Sequence, residues 1–134
     1  MNQTGIWIDS KKAVIITFKN KESNTKIIFS GVEGKNRVEG EGKEFGRFGN
    51  QFSTLEKKLE KKYQSEIIEY LKEVIKELET TDDLVLFGPA QIKIELKKLI
   101  EKDNKLLKKL LDVVDADSMT DNQLVAWVKN YYSI

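Results

Sequence analysis

The spacing of apolar residues along this chain changes period twice. In the first thirty positions apolar residues come in short runs rich in β-formers, Gly5-Ile-Trp-Ile-Asp9, Ala13-Val-Ile-Ile-Thr-Phe18 and Thr25-Lys-Ile-Ile-Phe29. The polar stretches 10–12 and 19–24 separate them. Three such runs with short links predict an antiparallel meander. From residue 54 the spacing becomes helical, and Leu55, Leu59, Tyr63, Ile67, Leu71, Val74 and Leu78 make one stripe over 54–78. Ser53 and Glu56 fit a capping box, so the helix is predicted to start there. The stripe is richer after Tyr63, which predicts that the first two turns project past the sheet.

A continuous apolar run, Asp83-Leu-Val-Leu-Phe-Gly88, then reads as a buried parallel strand. Pro89 fits the first turn of a helix over 90–101, with Lys93 and Glu95 expected on its exposed side. Residues 103–109 suit either a short helix or a loop, and 110–114 read as a fifth strand. Thr120 and Gln123 repeat the capping-box pattern ahead of a last helix over 121–132, with Leu124, Val125, Trp127 and Val128 as its apolar face. Strands first, then alternating helix and strand, predict an α/β fold: a mixed sheet of about five strands flanked by helices. Trp7, Ile15, Ile28, Leu71, Leu86 and Val125 are the expected core. The length of 134 residues suits one domain, 1–134, large enough to bury a core without staples.

Between meander and long helix lies 31–52, punctuated by Gly31, Gly34, Gly40, Gly42, Gly46 and Gly49. A stretch of that length is uncommon in compact domains unless functional or disordered. Residues 40–51 are expected to be weakly ordered, because glycines leave little to offset ordering entropy. The end of the stretch, Glu44-Phe-Gly-Arg-Phe-Gly-Asn-Gln-Phe-Ser53, carries a charge at Arg47 and aromatic rings at Phe48 and Phe52. Those rings gain nothing in water, so they either fold onto the core or meet a protein partner. Trp127, Tyr131 and Tyr132 near the end of the chain offer a second aromatic set for such a partner.

Composition narrows the chemistry. The chain has no histidine, and it has no cysteine. That removes disulfides, the usual zinc ligand sets, Cys or His nucleophile systems and histidine acid–base catalysis. No cofactor and no metal is expected. The amino terminus reads without a signal peptide, and no apolar run approaches the ~20 residues that span a bilayer, so the expectation is a cytoplasmic protein without a membrane partner. A net charge of +1 is uninformative, but its distribution is not. Lys35, Arg37, Lys43 and Arg47, then Lys57, Lys58, Lys61 and Lys62, gather positive charge around the glycine-rich stretch and the helix start. A basic footprint beside an exposed loop is what phosphate binding requires. The plainer alternative is a solvated helix face, since Glu56 and Glu60 are interleaved with the lysines.

These residues together carry a resemblance. A three-strand opening with Trp7-Ile-Asp9 precedes a glycine-rich loop ending in Gly49-Asn50-Gln51 at the start of a long charged helix. Then come Leu84-Val-Leu-Phe-Gly-Pro-Ala-Gln-Ile-Lys-Ile-Glu-Leu96 and Thr120-Asp-Asn-Gln-Leu-Val125. In this order the chain resembles the middle domain of archaeo-eukaryotic peptide chain release factors. It is more similar still to their small stand-alone bacterial relatives, known as translational machinery or host attachment proteins. The resemblance spans nearly the whole chain.

What it implies is a ribonuclease-H-like sheet and a Gly-Gly-Gln tip that enters the ribosomal peptidyl transferase centre, where the glutamine helps water attack the ester of peptidyl-tRNA. Gly49 matches the first glycine and Gln51 the glutamine, while Asn50 stands where the pattern has its second glycine. Asn reaches the left-handed region at modest cost, but its side chain fills space that the pattern leaves empty. The substitution weighs against hydrolysis more than against ribosome binding, because a shift of about 1 Å can lower a rate about a hundredfold.

Three functional expectations follow. The first is a ribosome-associated translation factor that contacts ribosomal or transfer RNA through Gly49, Asn50 and Gln51 and through Lys43, Arg47, Lys57, Lys58, Lys61 and Lys62, with hydrolysis of peptidyl-tRNA as its chemistry. The second is a non-catalytic ribosome- or protein-binding module, such as a stress or hibernation factor, with Phe48 and Phe52 meeting a protein partner. The third, given least weight, is a Mg²⁺-dependent nuclease in which Asp9 joins Asp82, Asp83 or a glutamate of the long helix. Gly88-Pro-Ala90 before a helix lacks the further glycines and Lys-Ser/Thr of a phosphate-binding loop, and reads as a plain strand-to-helix turn.

Overall fold

The computed structural model describes residues 1–31, 50–89 and 91–134. Its strands are β1 (Asn2–Ile8), β2 (Lys12–Lys19), β3 (Glu22–Phe29), β4 (Asp83–Gly88) and β5 (Leu110–Asp115). Its helices are α1 (Asn50–Lys76), α2 (Ile92–Glu101), α3 (Asn104–Leu107) and α4 (Asp121–Tyr131). The strands form one mixed sheet in the order β3-β2-β1-β4-β5. β1, β2 and β3 make the expected antiparallel meander, while β4 pairs parallel with β1 and β5 parallel with β4.

The pleat sends alternate residues to opposite faces, and here both faces are covered. Ile6, Ile8, Ala13, Ile15, Leu84 and Leu86 meet Ile67, Leu71 and Val74 of α1, Leu78 in the turn after it, Leu96 and Ile100 of α2 and Leu106 of α3. On the other face Trp7, Val14, Ile16, Phe18 and Phe87 meet Leu124 and Val128 of α4. Burial on both faces is why the central strands are unbroken apolar runs rather than alternating ones. The edge strand β3 buries only Ile28; it is polar through Ser23, Asn24 and Lys26 and leaves Ile27 and Phe29 exposed at its end. Lys26 Nζ lies 2.5 Å from Glu77 Oε1 and ties β3 to the end of α1.

Several sequence expectations shift. α1 is already helical at Asn50, three residues before the expected cap at Ser53. Gln51 and Phe52 are compatible with a helix, and the first strong breaker upstream is Gly49. α2 begins at Ile92 rather than at residue 90, and residues 103–109 resolve into the single turn α3, capped by Asp103 through the Lys105 amide at 3.0 Å. The Thr120–Gln123 capping box is present, with Gln123 N donating to Thr120 Oγ1 at 3.2 Å and Thr120 N to Gln123 Oε1 at 2.9 Å. Of the expected core only Val125 departs, being half-buried while Leu124 and Val128 turn fully inward.

Candidate functional site

Counting about 100° per residue, Lys57, Lys58, Lys61 and Lys62 fall on one arc of α1, on the side away from its buried stripe. All four are exposed. On the stripe side at this level Leu59 and Tyr63 are only half-buried, whereas Ile67, Leu71, Val74 and Leu78 further along are buried. Over 57–63 the described residues therefore cover the stripe side of α1 in part, and the four lysines are exposed. The first turn of α1 contains no acidic residue, so nothing there opposes the positive end of the helix dipole.

Of the expected catalytic trio, Asn50 and Gln51 are the first two residues of α1, and Gly49 lies outside the described residues. Lys43, Arg47 and Phe48 also lie outside them, as does most of the stretch expected to be weakly ordered. Phe52 belongs to the first turn of α1.

Asp82 and Asp83, two of the carboxylates of the nuclease reading, do not meet Asp9. Asp9 follows the C-terminal end of β1, where its Oδ1 accepts from the amides of Lys11 and Lys12, each at 2.8 Å. Asp82 and Asp83 sit at the opposite end of the sheet: Asp83 is level with Gln3, and Asp82 Oδ2 accepts from Asn2 N at 2.6 Å. Six residues of strand, at about 3.3 Å each, keep Asp9 some 20 Å from that end. Among the described residues no group of three acidic side chains is placed to hold a metal ion.

The expected aromatic docking set is also redirected inward. Trp127 stacks on buried Phe87 with centroids 3.9 Å apart, and Tyr131 stacks on Trp127 at 5.6 Å. Tyr132 OH donates to the Thr4 carbonyl at 2.6 Å. These rings close the sheet face beside α4 and are half-buried rather than free. Burial pushes the Tyr132 phenol well above its ordinary pKa, with Asp83 adding to the rise.

Two features escaped sequence reasoning. Lys93, expected on the exposed side of α2, is 3% exposed and ion-paired with the Asp115 carboxylate at the end of β5. The signal was there: Lys93, Leu96 and Ile100 share the inward stripe of α2. The second is a groove of about 1080 Å³ between α1 and α2. Tyr70 of α1 donates to the carbonyl of Asp9, which lines this groove, at 3.1 Å.

The fold and these surfaces define an α/β domain with a mixed five-stranded sheet and a long helix whose free side is basic at its start. Among the described residues no helix is long and apolar enough to cross a membrane. No protein-family model matches the chain, and no curated protein matches it.

Proposed function

We propose that the chain is a ribosome-associated translation factor that contacts ribosomal or transfer RNA through the start of α1 and the Gly49-Asn50-Gln51 segment leading into it. The observation that carries this reading is the exposed lysine face of α1. Lys57, Lys58, Lys61 and Lys62 are exposed, on the arc of α1 away from its buried stripe. Two i,i+4 pairs, 57 with 61 and 58 with 62, set cations about 6 Å apart along the axis. That interval approximates the spacing of successive phosphates on a strand. The antiparallel opening of the sheet and its parallel continuation beyond β1 are compatible with the ribonuclease-H-like order that the release-factor resemblance implies. A cytoplasmic location goes with this reading.

Within it, binding has more support than hydrolysis. Asn50 and Gln51 are helical, so their backbone is not that of a free loop tip. That observation favours a non-catalytic ribosome-binding module as the second reading.

The test is co-sedimentation with ribosomes across a salt series. Replacing the four lysines by Ala should weaken association and flatten its salt dependence, since each lost phosphate contact removes roughly 0.7–0.9 from the log–log slope. Gln51→Ala should leave the slope unchanged, because glutamine carries no charge. Asn50→Gly separates chemistry from binding: a release-type tip disabled by Asn50 predicts peptidyl-tRNA hydrolysis above wild type. Unaltered binding by the lysine variant, together with no hydrolysis by either protein, overturns the translation-factor reading.

A further inference from the structure

The groove between α1 and α2 borders the lysine arc of α1, Ile68 lying two turns beyond Lys61, and none of the four lysines lines it. It opens beyond the C-terminal ends of β1 and β4, where it is lined by Asp9 and Ser10 from one strand end and Pro89 from the other. The chain leaves β1 toward β2 on one side of the sheet and leaves β4 toward β5 on the other. In open α/β sheets the crevice at such a divergence is where ligands bind.

The shape and chemistry of the groove select the ligand. Its floor is apolar, formed by Tyr63, Ile67, Ile68 and Leu71 of α1 and Ile92 and Leu99 of α2. Ile68 is 44% exposed, a large apolar side chain only partly covered by the described residues. The volume of about 1080 Å³ is at the upper limit for small-molecule pockets, which run roughly 300–1,000 Å³. The lining runs along α1 from Glu60 to Leu71 and along α2 from Ile92 to Lys102, a length of about 15 Å, or three helical turns. Around the rim stand Asp9, Glu60, Glu95 and Glu101 against only Lys98 and Lys102, and Lys98 lies 3.9 Å from Glu95.

We propose that this groove docks an amphipathic helix of a partner protein, with an apolar face for the floor and Lys or Arg flanks for the carboxylate rim. Helices recognised in this way bring apolar anchors at i, i+3, i+4 and i+7, which suits a three-turn groove. The described helices α1, α2 and α4 commit their apolar faces to this chain's own sheet, so among the described residues a second copy has no such helix to offer. The inference stands on the groove alone and does not require the RNA reading.

The test is titration of the ¹⁵N-labelled chain with a synthetic Leu/Lys amphipathic helix of about 14 residues. A Leu/Glu peptide of the same pattern and a Leu/Lys peptide scrambled out of helical period serve as controls. The Leu/Lys helix should shift amides of 60–71 and 92–102 and bind at least about tenfold more tightly than either control. Ile68→Lys should abolish binding, as should Glu95→Lys with Glu101→Lys. Both alter exposed positions, and an unchanged circular dichroism spectrum checks their folding. Equal binding of the controls, shifts outside the groove, or self-association of the chain that Ile68→Lys removes would each overturn the proposal.

Discussion

Gly88 ends β4 at φ +141°, and a Cβ added there would come 2.6 Å from the Ile8 carbonyl oxygen. Backbone on both sides of that contact leaves no flexible atom to yield. Gly88→Ala should therefore destabilise by at least about 3 kcal/mol, combining a strained dihedral with overpacking, read from the shift in urea midpoint at constant m-value. Tyr70 supplies the prediction for pH. Burial, and then the Asp9 charge, raise its phenol pKa well above the ordinary value, as burial and Asp83 do for Tyr132. The unfolded chain loses these protons near pH 10 while the folded chain keeps them, so above that pH the unfolded state binds fewer protons and stability falls. With no histidine present, unfolding free energy should stay nearly flat through neutral pH and decline from about pH 10 upward. Tyr70→Phe combined with Tyr132→Phe should make that decline shallower; an unchanged slope in urea titrations at stepped pH would contradict the assignment.

At the scale of elements, the two capping-box sequences make opposite predictions. Thr120 and Gln123 satisfy each other's backbone amides at the start of α4, so Thr120→Ala should cost about 1 kcal/mol. Ser53 lies inside α1, three residues beyond its start, so Ser53→Ala should be neutral or slightly stabilising by helix propensity. Thermal midpoints of the two variants check the contrast. The same pair shows what was legible in the sequence. A capping box is a local pattern, and it marks a helix start only where the preceding residues cannot extend the helix; here Asn50, Gln51 and Phe52 do extend it. Strand identity was readable because apolar runs need burial on two faces, and the stripe of α1 because seven residues repeat at helical spacing. Lys93 was misplaced because its charge was weighed above its position on the α2 stripe. The groove was invisible because it depends on how closely α1 and α2 approach, which no spacing within either helix records.

At the scale of the whole molecule, α1 joins a rigid part to an unsupported one. From Ile67 to Leu78 its stripe is buried against the sheet, while Leu59 and Tyr63 are only half covered and the lysines opposite them face water. Local stability follows buried apolar contact, so the two parts of one helix should open with different free energies. Amide exchange in β1 and β4, central and covered on both faces, should require global unfolding. Exchange at 67–76 should come close to that limit, and exchange at 57–63 should be about a hundredfold faster or more, corresponding to roughly 3 kcal/mol less protection. A helix occupying the groove would cover Tyr63 and Ile68 and should slow exchange at 60–68, whereas RNA on the lysine face adds no apolar burial and should slow it less. Uniform protection along α1 in the free chain would mean that its amino-terminal turns are held by contacts other than its apolar stripe, and the lysine face would then be part of a fixed surface rather than the free side of an unsupported helix.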